Sequence, residues 1–519
     1  MNIHELLTQQ AANRSAKPAV IYKDQSIAFA QLRDEAGRLA GALRHLGFGP
    51  SDKTAIFLPN CPEYIYSYFA TFLLGGIVVP LDFMLTEVEM INFINHSQSS
   101  ILILRRKKGI DCQQIKQRCP SLKKIILMDP SSSDPVHEAP DERTVYYQSL
   151  RHPSSLDNNE VDESAPAAIF YTSGSTGHPK GVVLTYGHLD NPVACIRHFL
   201  NPTAEDSYLC AGIPFSHVGG LDYIIFMLSF GSTLVLMDRF QPMEALKNIE
   251  RYGASIFCIV PAMFAAIVSL KEAEKFDLSS LRHLVVFGAP SSPALLQRFH
   301  QLCPRARLSN GWGMTETAAP NTYSPDDVTK INSIGPFGVG MEAKIVNEAA
   351  KPVTDGEKGE LWVRGKAVMA GYYNEEALTR QVITPDGWLR TGDIARRDHD
   401  GNFYLAGRKR EMIKVAGEIV MEPEVEDVLY RHPSVQDAAV IGIADPVRGE
   451  IPKALVVLKP HAEAAVDELK PFLKKYLAHF KIPAVIEQRQ ALPKNRTGKI
   501  DKETLRREHQ AMTADEGAA

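Results

Sequence analysis

No two of the seven cysteines stand close enough for a Cys-x-x-Cys pair; they fall at 61, 112, 119, 195, 210, 258 and 303. An odd, dispersed set argues against a disulfide scaffold or a zinc site and fits a reducing compartment. A basic excess is missing too. The 57 Lys and Arg against 61 Asp and Glu leave a formal net charge of −4, whereas a nucleic-acid binder needs a strong positive balance or a basic face. The run Arg105-Arg106-Lys107-Lys108 reads as a solvated surface. Uninterrupted hydrophobic stretches are also lacking. The most apolar window, Tyr64 to Phe83, is broken by Gly75, Gly76, Pro80 and Asp82, which fits a buried helix running into a strand better than a membrane span. The first twenty residues lack a charged-then-apolar signal pattern and read as a short amphipathic helix. No internal repeat stands out. A cytoplasmic protein without an integral membrane segment, monomeric or homodimeric, is expected.

What is present is an ordinary globular composition, 45% hydrophobic and 23% charged over 519 residues, enough for two to four folding units. Up to about residue 160, helical and strand patterns alternate. Phe29 to Leu46 has helical spacing and is stopped by Gly47-Phe48-Gly49-Pro50. Lys53 to Leu58 reads as a buried strand, Tyr64 to Leu74 as a helix and Ile77 to Leu81 as a strand. Such alternation implies parallel sheets covered by helices. Ser131 to Ala165 is rich in Ser, Pro and Asp and reads as a surface loop. Further strand-like runs follow at Ser232–Leu236, Ser255–Val260 and His283–Phe287. From Ile345 the pattern turns to shorter strands and tight turns (Asp355-Gly356, Asp386-Gly387, Asp400-Gly401), the look of a β-rich unit. Beyond about residue 407 a module of domain size remains, with a frayed tail from Ala511.

One stretch organises the rest: Ala167 to Leu189, AAIFYTSGSTGHPKGVVLTYGHL. An apolar strand delivers the chain into Thr172-Ser173-Gly174-Ser175-Thr176-Gly177. Four hydroxyls and two glycines pack poorly but cradle an anion well, because glycine lets successive N–H groups converge on phosphate oxygens. Lys180 adds a point charge. The stretch is not a Walker A loop, since no Gly-Lys-Ser/Thr closes a six-residue glycine frame. It resembles the signature of the adenylate-forming superfamily: acyl-CoA synthetases, aryl-CoA ligases, luciferases and peptide-synthetase adenylation domains. Ser175 stands where that family has the first of two threonines.

Further motifs follow in the family's order from roughly residue 10 to 505. Asn310-Gly311-Trp312-Gly313-Met314-Thr315-Glu316 matches a segment of the form YGxTE. The resemblance implies that Glu316 binds Mg²⁺ together with Thr176, that Thr315 meets phosphate, and that Trp312, in place of the usual Tyr, lies against the adenine. Gly288, Ala289 and Pro290 would form the other adenine wall. Thr391-Gly392-Asp393 matches the family's ribose motif, with Arg408 as second ribose contact. Here Gly407 stands where the family usually has Asp. Arg410 falls at the hinge between domains, and Lys414 and Gly417 match the segment that faces the site during thioester formation. Pro493-Lys494-Asn495-Arg496-Thr497-Gly498-Lys499 matches PKxxxGK and makes Lys499 catalytic. A carboxylate attacking an α-phosphate brings like charges together, at about 4 kcal/mol per unit pair roughly 4 Å apart. A bridging lysine removes that repulsion.

The resemblance further implies a gate at His217 and an acyl pocket between residues 214–220, 261–264 and 317–319. These stretches carry no aspartate for an amino acid's ammonium and no other acidic or basic side chain besides His217, which favours an acid with an apolar tail. The expectation is an α/β fold: an N-terminal AMP- and acyl-binding domain over 1–406, including helix-covered sheets and a β-rich subdomain at 345–406, then a small mobile α+β domain over 407–519. The expected activity is ATP- and Mg²⁺-dependent conversion of a carboxylic acid, foremost a fatty acid, to acyl-AMP and then to its coenzyme A thioester. The alternatives are an aryl-acid CoA ligase, a ligase loading a carrier-protein pantetheine, and a silent adenylate-binding protein.

Overall fold

The computed structural model describes residues 1–128, 142–150, 161–172, 180–287, 297–298, 301–330, 332–415, 418–445, 448–460, 465–494 and 499–516. Two compact units account for them, one of residues 1–342 with 363–389, the other of residues 343–362 with 390–519. The strand-rich stretch from 390 to 406 thus groups with the C-terminal elements.

The first unit is built on two eight-stranded sheets. One runs in the spatial order Thr322–Tyr323, Arg307–Trp312, His283–Val286, Ile256–Ile259, Ser207–Ala211, Thr233–Met237, Pro18–Tyr22 and Gln25–Ala28. Its interior pairs are parallel and its two edge pairs antiparallel. The other centres on Lys53–Phe57, flanked in parallel by Ile77–Pro80 and Ile101–Arg105. Parallel strands are covered on both faces, which is why Leu102, Ile103 and Leu104 are all fully buried and show no polar alternation. The Phe29–His45 helix and the buried Pro62–Leu73 helix fall where periodicity puts them. Among the described residues no helix is long and apolar enough to cross a membrane.

Two local expectations need amending. The stretch read as a loop from Ser131 to Ala165, where it lies within the described residues, contains a strand, Thr144–Tyr146, paired in parallel with Lys124–Met128. Its β-branched and aromatic residues suit a sheet edge. In the basic run, Lys107 donates to the Phe83 carbonyl and lies 5.1 Å from the Phe57 and Phe83 ring centroids, while Arg105 pairs with Glu63 at 3.8 Å. Arg105 and Lys107 therefore have intramolecular work.

At the entry edge of the first sheet, Asp206 is 3% exposed and ties three strands together. It accepts from Ser255 Oγ at 2.6 Å, from the Arg282 guanidinium at 2.5 and 2.6 Å, and from the Thr203 amide at 2.8 Å. These bonds outweigh the opposing cost of burial and hold its carboxyl below the usual range.

The second unit carries an antiparallel ladder of Leu389–Arg397 with Phe403–Arg408 and a C-terminal sheet ordered Glu418–Met421, Met412–Val415, Gly449–Leu458, Val435–Asp445. The Glu422–Tyr430 helix packs on that sheet through Val425, Val428 and Leu429. It also holds the final helix, Lys502–Glu516: Lys502 Nζ lies 3.1 Å from Glu422 and 2.7 Å from Glu426, and Arg506 reaches Glu422 at 2.6 Å. Burial lifts the Glu426 carboxyl from an ordinary 4.5 to about 6, partly opposed by Lys502.

Two measurements check this account. Asp206→Ala leaves a buried hydroxyl and a guanidinium without their acceptor and should cost about 3 kcal/mol in denaturant unfolding. For Glu426 the folded-state pKa is raised, so its stabilising share is complete below pH 4.5 and lost as pH rises through 6. Relative to Glu426→Gln, the wild type should lose about 2 kcal/mol across that window, read from unfolding curves taken between pH 4 and 7.

Candidate functional site

In the first unit, Thr172 ends the Pro166–Thr172 strand and Lys180 begins Lys180–Thr185; the two are directly paired across an antiparallel ladder. Ser173, Gly174, Ser175, Thr176 and Gly177 lie between them and outside the described residues, as do Gly288, Ala289 and Pro290. Lys180 Nζ stands 5.5 Å from the Tyr372 ring centroid. The Tyr372 phenol donates to Glu316 Oε1 at 3.0 Å, in the interior. Burial, reinforced by the Glu316 charge, raises the Tyr372 hydroxyl far above its ordinary pKa, so it remains a donor. Glu316 is 9% exposed and sits in the short 3₁₀ turn Thr315–Thr317, whose Glu316 carbonyl accepts from the Met369 amide at 2.9 Å. Thr317 closes the turn, accepting from the Met314 amide at 3.1 Å and donating to Asn321 Oδ1 at 2.5 Å.

Asn310, Gly311 and Trp312 form the end of Arg307–Trp312. Trp312 is 6% exposed, its indole edge-to-face with Phe337 at 5.4 Å. Thr315 and His217 are half-buried. His217 caps the Val218–Phe230 helix, and the turn before it is clamped from outside the motif. Asn60 donates to the Ile213 carbonyl at 2.7 Å and accepts from the Phe215 amide at 2.9 Å, while the Tyr68 hydroxyl donates to the Phe215 carbonyl at 2.7 Å. Gly220 lets that turn close: a Cβ there would lie 2.1 Å from the Pro214 carbonyl oxygen.

The second unit brings three of the expected residues together. Asp393 and Arg408 are paired positions on adjacent strands, with Arg408 Nε 3.1 Å from Asp393 Oδ1. Asp393 is 5% exposed. Thr391 Oγ1 donates to the Leu361 carbonyl at 2.7 Å and accepts from the Asp393 amide at 3.0 Å, which fixes the bend at Gly392. Lys499 has Arg408, Glu411 and Asp393 as charged neighbours. Crowding and the Arg408 charge lower its ammonium pKa, against the opposite pull of Glu411 and Asp393. Arg410 is exposed in the 3₁₀ turn Lys409–Glu411, which is tied by Lys409–Glu360 at 3.0 Å and by the Arg408 amide donating to Glu411 at 3.2 Å. Lys414 is exposed beside Glu348 at 3.2 Å, and Gly417 lies outside the described residues.

The departure at Gly407 has a backbone cause. Its φ is +135°, and a Cβ would stand 2.8 Å from Met421 Cε and 3.2 Å from Pro423. Glycine there is a local steric requirement. The sequence reading missed Tyr372, Asn60 and Tyr68, which carry no motif. A tyrosine among Gly371, Tyr372 and Tyr373 offers no charge pattern, and only strand pairing with Lys180–Thr185 brings it to Glu316. Gly407→Asp, the change toward the residue usual in the resembled family, should destabilise the chain by about 2 kcal/mol or more through backbone strain alone. Thermal unfolding with an unchanged midpoint would refute this.

The AMP-binding enzyme family model matches residues 7–373, and the AMP-binding enzyme C-terminal domain model matches residues 424–499. A long-chain-fatty-acid–CoA ligase of Bacillus subtilis (strain 168) is 31% identical, over 96% of this chain and 93% of its own length. A feruloyl-CoA synthase of Amycolatopsis sp is 32% identical over 94% and 95%. Among solved structures, the anthranilate CoA ligase AuaEII in complex with anthranoyl-AMP superposes with a TM-score of 0.90 at 27% identity, covering 99% of this chain and 98% of that one. The o-succinylbenzoate coenzyme A synthetase MenE of Bacillus subtilis, in complex with ATP and magnesium ion, gives 0.81 at 29% identity over 95% and 98%.

Proposed function

The chain belongs to the AMP-binding enzyme family, and from that premise we propose that it joins a carboxylic acid with a largely apolar tail to coenzyme A. It is an AMP-forming acid–CoA ligase that uses ATP, Mg²⁺ and coenzyme A. The finer assignment is a fatty acid as substrate, free coenzyme A rather than a carrier protein as acceptor, and a cytoplasmic monomer or homodimer. The aryl-acid reading stands beside it, since aryl-acid and fatty-acid ligases resemble the chain to the same degree.

The observation that carries the proposal is the grouping of Lys499 with the Asp393–Arg408 pair. Asp393, buried and anchored by its own backbone, accepts the ribose hydroxyls, and Arg408 supports it from the next strand. Lys499 offers its ammonium to the acid's carboxylate and the α-phosphate, offsetting the repulsion between them. Thr172, Lys180 and residues 173–177 hold the outer phosphates, with Thr315 donating to them. Gly288, Ala289, Pro290 and the Asn310–Trp312 segment take the adenine. Position 407 begins the mobile C-terminal part, with Arg410 as its hinge.

The residues fit the metal. Glu316 Oε1 accepts from the Tyr372 phenol, which leaves the second carboxylate oxygen for another partner; a carboxylate oxygen beside phosphates suits Mg²⁺. Glu316 and Thr176 would hold Mg²⁺, which would supply positive charge to neutralise phosphate oxygens. For the thioester step, Lys414 and Gly417 face the coenzyme A arm. The Lys414–Glu348 pair is exposed on both sides and worth about 0–1 kcal/mol, so the ammonium exchanges partners at little cost.

Both half-reactions can be measured separately. Lys499→Ala should lower acid-dependent pyrophosphate release roughly a hundredfold or more while sparing thioester formation from supplied acyl-adenylate. Gly417→Leu should do the reverse. Asp393→Ala should raise the KM for ATP. Equal losses in both steps for the first two variants would overturn the assignment.

A further inference from the structure

The interior strands of the first sheet are parallel, so Ser207–Ala211, Ile256–Ile259, His283–Val286 and Arg307–Trp312 all end on one edge. Along that edge the packing is incomplete. Val218 and Gly219 at the start of the Val218–Phe230 helix keep part of their surface open, as do Cys258, Val260, Gly313 and Met314. Every side chain in that group is apolar or a thiol. One turn further along the helix, on the face that carries Val218 and Gly219, stands Asp222. It sits deep in the unit with 7% of its surface open.

Asp222 has no hydrogen-bond or ion-pair partner among the described residues, and its neighbours' donors are committed elsewhere. The Tyr68 hydroxyl goes to the Phe215 carbonyl at 2.7 Å and the Tyr223 hydroxyl to the Cys258 carbonyl at 2.8 Å. Burial alone pushes the Asp222 carboxyl far above the usual carboxylate range, with no cation in reach to oppose it. A second orphan lies across from it: the Tyr323 hydroxyl, on the strand position paired with Gly311, is buried without a partner and feels the Asp222 charge. Two unpartnered polar groups from different elements, buried next to that partly open edge, are expensive unless something regularly satisfies them.

We infer that Asp222 is a specificity-determining residue, and that the preferred acid bears a hydrogen-bond donor, a hydroxyl or an amine, on its tail at the end remote from the carboxylate. This rests on the acid-activating reading above and refines it: the tail is apolar along its length and polar at its tip. A hydroxyl both donates to Asp222 and accepts from a protonated carboxyl or from Tyr323. A plain hydrocarbon would seal both groups away from water with nothing in exchange. Discrimination of that kind exceeds what one methylene in a hydrophobic pocket can give.

The test is a pyrophosphate-release panel of aliphatic and aromatic acids of graded length, each supplied with and without one terminal hydroxyl or amino group. At the length that reaches Asp222, the donor-bearing member should exceed its parent in kcat/KM by at least about tenfold. Asp222→Leu should abolish or invert that ratio while still turning over the parent acid. Asp222→Asn, nearly the same shape, should keep the hydroxyl preference and lose most of any amine preference, since an amide cannot carry the countercharge. Tyr323→Phe should reduce the hydroxyl preference only. Melting temperatures of all three variants separate misfolding from lost selectivity. A wild type indifferent to the terminal group in every pair, or a preference untouched by Asp222→Leu, would show a buried acid satisfied by water and overturn the inference. No pyrophosphate release from any acid is a different result: it would sink the acid-activating reading and this refinement together.

Discussion

Parallel pairing forces neighbouring strands to leave a sheet on the same side, and most of the first unit's chemistry follows from that constraint. Ala211, Ile259, Val286 and Trp312 end strands of one sheet, so Gly212, Val260, Phe287 and Gly313 come out at one edge although they are far apart in the chain. The turn at 214–217, the helix Pro261–Val268 and the Thr315–Thr317 turn are brought to one edge by this geometry. The opposite edge can then be devoted to stability. Asp206 gathers Thr203, Ser255 and Arg282 there, so this buried charge lies at the end away from the motif segments.

Charges near the candidate site are handled differently from Asp206. Asp206 has its acceptor capacity used up. Glu316 has one oxygen held by a phenol and one left over; Asp393 meets a guanidinium that is itself nearly half exposed; Lys499 keeps mixed company, one cation and two acids. For Glu316, partial satisfaction costs stability, and it leaves the carboxylate able to take a further partner without first breaking a complete network.

The sequence disclosed what is written locally and hid what is written in space. Strand and helix alternation was legible because burial on both faces leaves uninterrupted runs such as Ile77–Leu81, and glycine turns mark where they stop. Motif residues were legible because their types and spacing are unusual for packing. Thr144–Tyr146 was obscured by the Ser/Pro/Asp-rich stretch around it, and its pairing partner is what makes it a strand. Tyr372, Asn60 and Tyr68 are ordinary residues whose roles come from partners more than fifty or a hundred positions away. Asp222 was overlooked because it lies just past the segment whose lack of charge suggested a wholly apolar pocket; helical geometry returns it to the same face.

The direct pairing of Thr172 with Lys180 carries a consequence for how this chain can vary. Both arms of that hairpin have neighbours of their own, Ile77–Pro80 on one side and Gly371–Tyr372 on the other, so neither arm can slide. Side chains alternate faces along a strand, so a one-residue slip of either arm would turn its side chains to the wrong face. Exchanging letters within 173–179 leaves those pairings of the two arms untouched. Ser175 for threonine is a change of that permitted kind.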